Sequence, residues 1–195
     1  MSVMNLLTVD LEDWFHICEV EHLLPREKWD KFPSTVVTDT EKLLSLVAQT
    51  NSRATFFVLG YVAEKHPELV RRIYHMGHEI GYHGWDHELV YELSPQDFRQ
   101  ILRRGIECIE RLIDKRPIGF RAPQWSINNR SRWALEILAE EFKDNIVCER
   151  ILKEFVVQHV YMHYVRYKDK QRISGILNIP LVTQLSIQSM QEMKE

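Results

Sequence analysis

Short apolar runs rich in β-branched and aromatic residues alternate along this chain with stretches whose apolar positions recur at helical spacing. That alternation predicts strands followed by helices, the order of a parallel α/β domain. Met4 to Val9 is read as a first buried strand ending at a carboxylate cluster. Asp39 to Gln49 follows as a helix with Leu43, Leu44, Leu46 and Val47 facing inward. Arg53-Ala-Thr-Phe-Phe-Val-Leu59 is a second strand, closed by Gly60. Pro67 suits the first turn of a helix with inner residues Leu69, Val70 and Ile73, and Gly77 stops it. His78 to Tyr82 is a short strand that delivers His83 at its C-terminal end.

Ser94-Pro95-Gln96-Asp97 is a helix start: a serine cap, proline at the first position, and a carboxylate near the positive end of the helix dipole. The helix is expected to run to about Ile113, with Ile101, Leu102, Ile109 and Leu112 inward. Pro117 to Arg121 is read as a further strand and Ser131 to Phe142 as a helix. Beyond it the periods mix: Ile151 to Tyr167 fits strand or helix, and Leu177 to Val182 resembles one last short strand. No repeat, low-complexity segment or interdomain linker divides residues 1–195, so one domain is expected.

Composition adds exclusions. With 195 residues and 45% hydrophobic content the chain can bury one substantial core. A formal charge of -3, with 25 basic and 28 acidic residues interspersed, gives no footprint for nucleic acid. No apolar run approaches the ~18 residues of a membrane span. The N-terminal sequence lacks a basic segment followed by an apolar stretch and cleavage site. Cys18, Cys108 and Cys148 are odd in number and widely spaced, and read as reduced, mostly buried thiols. A cytoplasmic location is the resulting expectation.

The chemistry gathers where the expected strands end. Thr8-Val-Asp-Leu-Glu-Asp13 supplies Asp10, Glu12 and Asp13, and Gly81-Tyr-His-Gly-Trp-Asp-His87 supplies His83 and His87. Two neutral imidazoles and one carboxylate make a common ligand set for a catalytic zinc-like ion. A spare acid beside that set can take a proton from water. Among nine histidines a lone pair at this spacing is weak evidence; the glycine-hinged strand end and the acidic cluster make it specific. Alternation along an extended backbone puts Asp10 and Glu12 on one side, although sequence does not fix which acid binds and which acts as base.

Arg121-Ala-Pro-Gln-Trp-Ser126 adds a charged fork able to hold a carboxylate bidentately. Backbone N–H groups after Pro123 can face an oxyanion. Trp14, Phe15, Trp85 and Trp125 are core residues or walls for sugar rings. His66, His75 and His78 read as surface or packing residues. His159 and His163 lack a carboxylate cluster and read as unrelated to metal.

From Leu6 to about Ala139 these motifs, in this order, resemble the polysaccharide deacetylases with a NodB-homology domain, carbohydrate esterase family 4. The carriers are Thr8 to Phe15, Arg53 to Gly60, Gly77 to His87 and Gly119 to Ser126. The resemblance implies a distorted or incomplete (β/α) barrel that removes acetyl groups from N-acetylated amino-sugar polysaccharides or their precursors. By motif position it implies Asp10 as general base, Arg121 as the partner that orients it, and His83 and His87 as metal ligands. Glu12 is the chosen third ligand, with Asp13 as the alternative carboxylate. Gln124 is the oxyanion candidate, with Trp85 and Trp125 beside the substrate. The implied cofactor is one divalent ion, zinc first, with cobalt, nickel or manganese as substitutes.

The family takes the proton for the departing amine from a histidine in a late motif. That motif is not found in residues 143–195, where Asp144-Asn145 is a trace of an earlier one, as in a truncated or divergent C-terminal part. Two other functions compete: hydrolysis of a small cyclic amide, and a catalytically impaired domain that binds metal or carbohydrate.

Overall fold

The computed structural model describes residues 7–18 and 22–142. Three strands form a parallel sheet in the order β1 (Leu7–Leu11), β2 (Ala54–Val58), β3 (Glu79–Tyr82). The register aligns Leu11 with Val58 and Val58 with Tyr82, so all three strands finish at one level. Glu12 and His83 therefore leave the same edge of the sheet, one on each side of β2. The expected fourth strand, Pro117 to Arg121, contracts to a single parallel bridge between Tyr82 and Phe120. Tyr82 N–H donates to Gly119 O at 2.9 Å and Arg121 N–H to Tyr82 O at 2.9 Å. Pro117 has no N–H to offer a ladder and Gly119 no side chain to pack, so pairing there is brief.

The helices are α1 (Val36–Gln49), α2 (Gly60–Lys65), α3 (Pro67–His75), α4 (Pro95–Ile113) and α5 (Trp133–Glu141). α1 begins at Val36 rather than Asp39, and its buried stripe is Val36, Thr40, Leu44 and Val47. Leu46, expected inward, is 58% exposed because it lies off that stripe, and Leu43 is half-buried. α2 was not expected; it fills the space between Gly60 and Pro67, where the residue before proline breaks the run. α4 begins as its sequence predicts: Ser94 Oγ accepts from Asp97 N–H at 3.1 Å. Its buried face is Phe98, Leu102, Gly105, Ile106, Ile109 and Ile113, with Ile101 and Leu112 only half-buried.

One contiguous core joins Phe56, Val58, Val70, Ile73, Ile80, Tyr82, Leu102, Ile109 and Leu138. β2, central in the sheet, is buried over most of its length, as a strand covered on both faces must be. Among the described residues no helix is long and apolar enough to cross a membrane. The expectations for Met4 to Leu6, Cys148, Ile151 to Tyr167, His159, His163, Leu177 to Val182 and the divergent segment 143–195 lie outside the described residues.

Candidate metal centre

Glu12, His83 and His87 come together where the strands end. One donor atom from each lies within 4.8 Å of the others. His87 Nε2 is 3.1 Å and His83 Nε2 4.0 Å from Glu12 Oε2. His83 leaves β3 with its backbone N–H on Val58 O at 2.9 Å, and its Nδ1 meets Arg121 O at 2.8 Å. A carbonyl can only accept, so Nδ1 carries the proton and the Nε2 lone pair points toward Glu12. Gly84, at φ +87, turns the chain after His83. His87 itself sits at φ 63, an uncommon conformation for a non-glycine residue.

Electrostatics fits a cation. Burial, and next the neighbouring Asp10, push the Glu12 carboxyl up to about 8. Burial lowers His83, and burial with His83 beside it takes His87 down to about 3, so both rings are neutral donors at ordinary pH. Glu12 Oε2 is buried with no hydrogen-bond partner among the described residues. Lone pairs of His87 Nε2 and Glu12 Oε2 facing each other at 3.1 Å repel unless a proton or a cation lies between them. Two imidazole nitrogens and one carboxylate oxygen match the preferences of a zinc-like ion.

Asp10 lies beside this set. Arg121 Nη1 donates to Asp10 Oδ1 at 2.5 Å, leaving Oδ2 3.8 Å from His83 Nε2. The expected bidentate fork does not form. The guanidinium lies 4.0 Å over the Phe57 ring, and in that pose one nitrogen reaches the acid. Arg121 Nε and Nη2 are buried without a hydrogen-bond partner among the described residues. Gly81 permits this packing, since a Cβ there would meet the Phe57 ring at 2.6 Å.

Asp13, the alternative ligand, is occupied elsewhere. It is 5% exposed and accepts from Ser34 Oγ at 2.5 Å and Thr35 N–H at 2.9 Å, fixing the entry to α1. Trp85 is not a wall for substrate. It is 4% exposed and wedged against Gly60, where a Cβ would come within 2.4 Å of its ring, with the Arg104 guanidinium 3.3 Å over it. Trp125 is half-buried, and Gln124 and Trp125 take φ 49 and 55 in the turn at Pro123–Trp125.

Trp14 is 45% exposed, yet its ring is fixed. Nε1–H donates to Pro33 O at 3.0 Å, and Phe15 and Phe32 pack at 5.4 and 5.6 Å. His78 proves to be a packing residue whose Nδ1 accepts from Ala54 N–H at 3.2 Å.

Some participants have no signal in the sequence. Cys18, expected only to be buried, touches His87 across 69 positions. Glu88 carries a weak local signal, an acid following His87 in a tight turn; its Oε2 accepts from Trp85 N–H at 3.0 Å. His16 is buried among Phe15, Trp29 and Tyr61, and burial, with His87 and Arg26 nearby, takes it down to about 3.

The polysaccharide deacetylase family model matches residues 28–139, more than half of the chain. A peptidoglycan-N-acetylglucosamine deacetylase of Bacillus cereus is 37% identical over 98 residues, 50% of this chain and 36% of that protein. The peptidoglycan-N-acetylmuramic acid deacetylase PdaC of Bacillus subtilis is 28% identical over 125 residues, 59% of this chain and 27% of that one. This chain therefore spans roughly a third of the length of those relatives. Among solved structures, a candidate polysaccharide deacetylase of Mycobacterium smegmatis superposes with TM-score 0.57 and 32% identity, covering 71% of this chain and 48% of that one. A family pseudoenzyme from Bacillus anthracis shares the fold at TM-score 0.54 and 19% identity, covering 72% and 41%. The chain belongs to the polysaccharide deacetylase family, whose NodB-homology domain its motifs carry.

Proposed function

We propose that this chain is a metal-dependent hydrolase that removes N-acetyl groups from amino-sugar polysaccharides or their precursors. The observation that carries the reading is the meeting of Glu12, His83 and His87 within 4.8 Å of one another beside an Asp10 held by Arg121. The names of the relatives, which specify peptidoglycan amino sugars, support the substrate class. Parallel strands that release their functional residues at a common C-terminal edge support a distorted or incomplete barrel of the NodB type.

Glu12, His83 and His87 would hold one divalent ion, zinc or a substitute such as cobalt, nickel or manganese. When bound, such an ion polarises a carbonyl and brings the pKa of water toward ~7. Asp10 takes the proton from the attacking water at Oδ2, the oxygen that Arg121 leaves uncovered. Arg121 keeps the carboxylate turned toward His83 and supplies a fixed positive charge beside it. The Gln124 N–H, released from regular pairing by the left-handed turn after Pro123, is assigned to the developing oxyanion. Trp14 and Trp125 are the aromatic surfaces offered to sugar rings. The departing amine also needs a proton, which none of the residues assigned above supplies.

A second reading, a domain that binds metal and carbohydrate without turnover, is favoured by the missing late motif in residues 143–195. One experiment separates the two. Metal content and acetate release from N-acetylglucosamine oligomers are measured for the natural chain, for the double variant His83→Ala/His87→Ala, and for Asp10→Asn. The hydrolase requires about one zinc-like ion per chain, lost in the double variant, and acetate release lost in both. Metal without acetate selects the binding domain. No metal even after zinc is added rejects both.

A further inference from the structure

The two histidines of the centre are anchored differently. His83 Nδ1 is held by a backbone carbonyl, Arg121 O at 2.8 Å, whereas His87 Nδ1 faces a side chain, Cys18 Sγ at 3.2 Å. The same sulfur lies 3.4 Å from His87 O, placed to donate its S–H there. One arrangement of protons makes both contacts hydrogen bonds at once. If the thiol proton goes to the carbonyl, the sulfur's lone pairs face Nδ1, so Nδ1 must carry the proton and donate. The imidazole is neutral, so Nε2 is left with its lone pair, and Nε2 is the atom facing Glu12 at 3.1 Å. One thiol thus satisfies both ends of His87 and presents the correct nitrogen.

We infer that Cys18 is the positioning residue of His87: its thiol fixes the tautomer and orientation in which His87 Nε2 can serve as a metal ligand. This rests on the reading that Glu12, His83 and His87 hold a divalent ion. Two further observations support the assignment. His87 occupies a loop at φ 63, so no regular backbone pairing sets its ring direction as strand β3 does for His83. Cys18 also belongs to the same β1–α1 connection as Glu12, so its bonds to His87 close the loop of one ligand onto the residue of another. Partners of this kind around metal-bound histidines typically change metal affinity 10–100-fold when removed.

The test compares Cys18→Ala and Cys18→Ser in the full chain. Serine can still accept from Nδ1 and donate to the carbonyl; alanine can do neither, and the two differ by one hydroxyl. Zinc dissociation constants are measured by competition with a chelator. The expected result is a 10–100-fold weakening in Cys18→Ala and recovery of most of it in Cys18→Ser. Long-range proton–nitrogen NMR of the metal-free proteins reads the tautomers directly. His87 should be protonated at Nδ1 in the natural chain and in Cys18→Ser and should lose that preference in Cys18→Ala, while His83 keeps its own in all three. Equal zinc affinity of the Ala and Ser variants, or an unchanged His87 tautomer in Cys18→Ala, overturns the inference. A natural chain that takes up no zinc refutes the metal reading alone, because the NMR comparison needs no metal and still decides whether Cys18 governs His87.

Discussion

Gly105→Ala should destabilise this protein although it places a better helix former in the middle of a helix. Gly105 lies inside α4, where alanine is worth about 1 kcal/mol over glycine. A Cβ at Gly105 would come within 2.0 Å of Tyr82 Cζ, 2.1 Å of Cε2 and 2.5 Å of the hydroxyl. The ring cannot yield cheaply. Tyr82 is fully buried, its hydroxyl donates to Ile101 O at 3.0 Å in the preceding turn of the same helix, and its ring leans on Phe120 at 5.7 Å. Overpacking a tight core costs about 1–3 kcal/mol, and displacing a buried hydroxyl from its acceptor about 1–3 kcal/mol more. Subtracting the helical gain leaves a net loss of about 3 kcal/mol.

The disturbance should also reach the centre, because Tyr82 precedes His83 and its carbonyl accepts from Arg121 N–H. Urea unfolding of the natural chain, Gly105→Ala, Tyr82→Ala and the double variant checks the argument. Once the tyrosine ring is gone, alanine at 105 should be neutral or favourable by about 1 kcal/mol. A single Gly105→Ala variant as stable as the natural chain would refute the reasoning.

Further expectations concern the site and the residues packed around it. Because metal-free Glu12 titrates at about 8, zinc must displace a proton below that pH. Apparent zinc affinity should climb from pH 6 to about pH 8 and then level off, and Glu12→Gln should bind no zinc at any pH. The raised value also means that the Glu12 contribution to metal-free stability is fully present below about pH 4.5 and is lost as pH rises through about 8, so Glu12→Gln should be the more stable metal-free protein in alkaline urea titrations. Asp13→Ala should lose about 1–2 kcal/mol of stability, from the two bonds at the start of α1, yet keep natural zinc affinity; loss of zinc would restore Asp13 as a ligand. Trp85→Ala should cost about 3–5 kcal/mol in thermal or urea unfolding as a buried aromatic, whereas Trp14→Ala, which loses one hydrogen bond and two ring contacts of a half-exposed side chain, should cost less and raise KM for acetylated oligomers.

What the sequence made legible was local. Ser94 and Asp97 meet through one turn of chain, so a cap could be read without knowing the fold. Asp10 and Glu12 share a side because extended backbone alternates, and the structure does bring both toward His83. The helix after Gly60 was hidden because six residues carry too short a period to distinguish from a loop. Pro117 to Arg121 has the composition of a strand but pairs only at Phe120, and pairing depends on a neighbour that composition does not contain. Trp85 stands inside the histidine motif, and its position there suggested contact with substrate. What decides its role is the missing side chain at Gly60, far away in sequence. The thiol beside His87 is likewise a product of tertiary packing.

The distribution of parts along the chain separates two capacities that the proposed function requires, holding a metal ion and protonating the departing amine. Three donors, the Asp10–Arg121 pair and the thiol beside His87 all come from residues 10 to 121, carried on the ends of β1 and β3, the loops that follow them and the segment after the Phe120 bridge. Protonation of the departing amine needs another group, and His16, the buried histidine nearest this set in sequence, is a poor source. Its Nδ1 accepts from Asp13 N–H at 2.8 Å, and its conjugate acid forms only near pH 3. Losing one proton-transfer group typically costs ~10²–10⁴ in rate and nothing in metal affinity. Under the proposed function zinc affinity therefore reports on the centre alone, whereas acetate release reports on the centre and on proton delivery together. A protein that binds zinc tightly and turns over slowly would locate the deficit in proton delivery rather than in the centre itself.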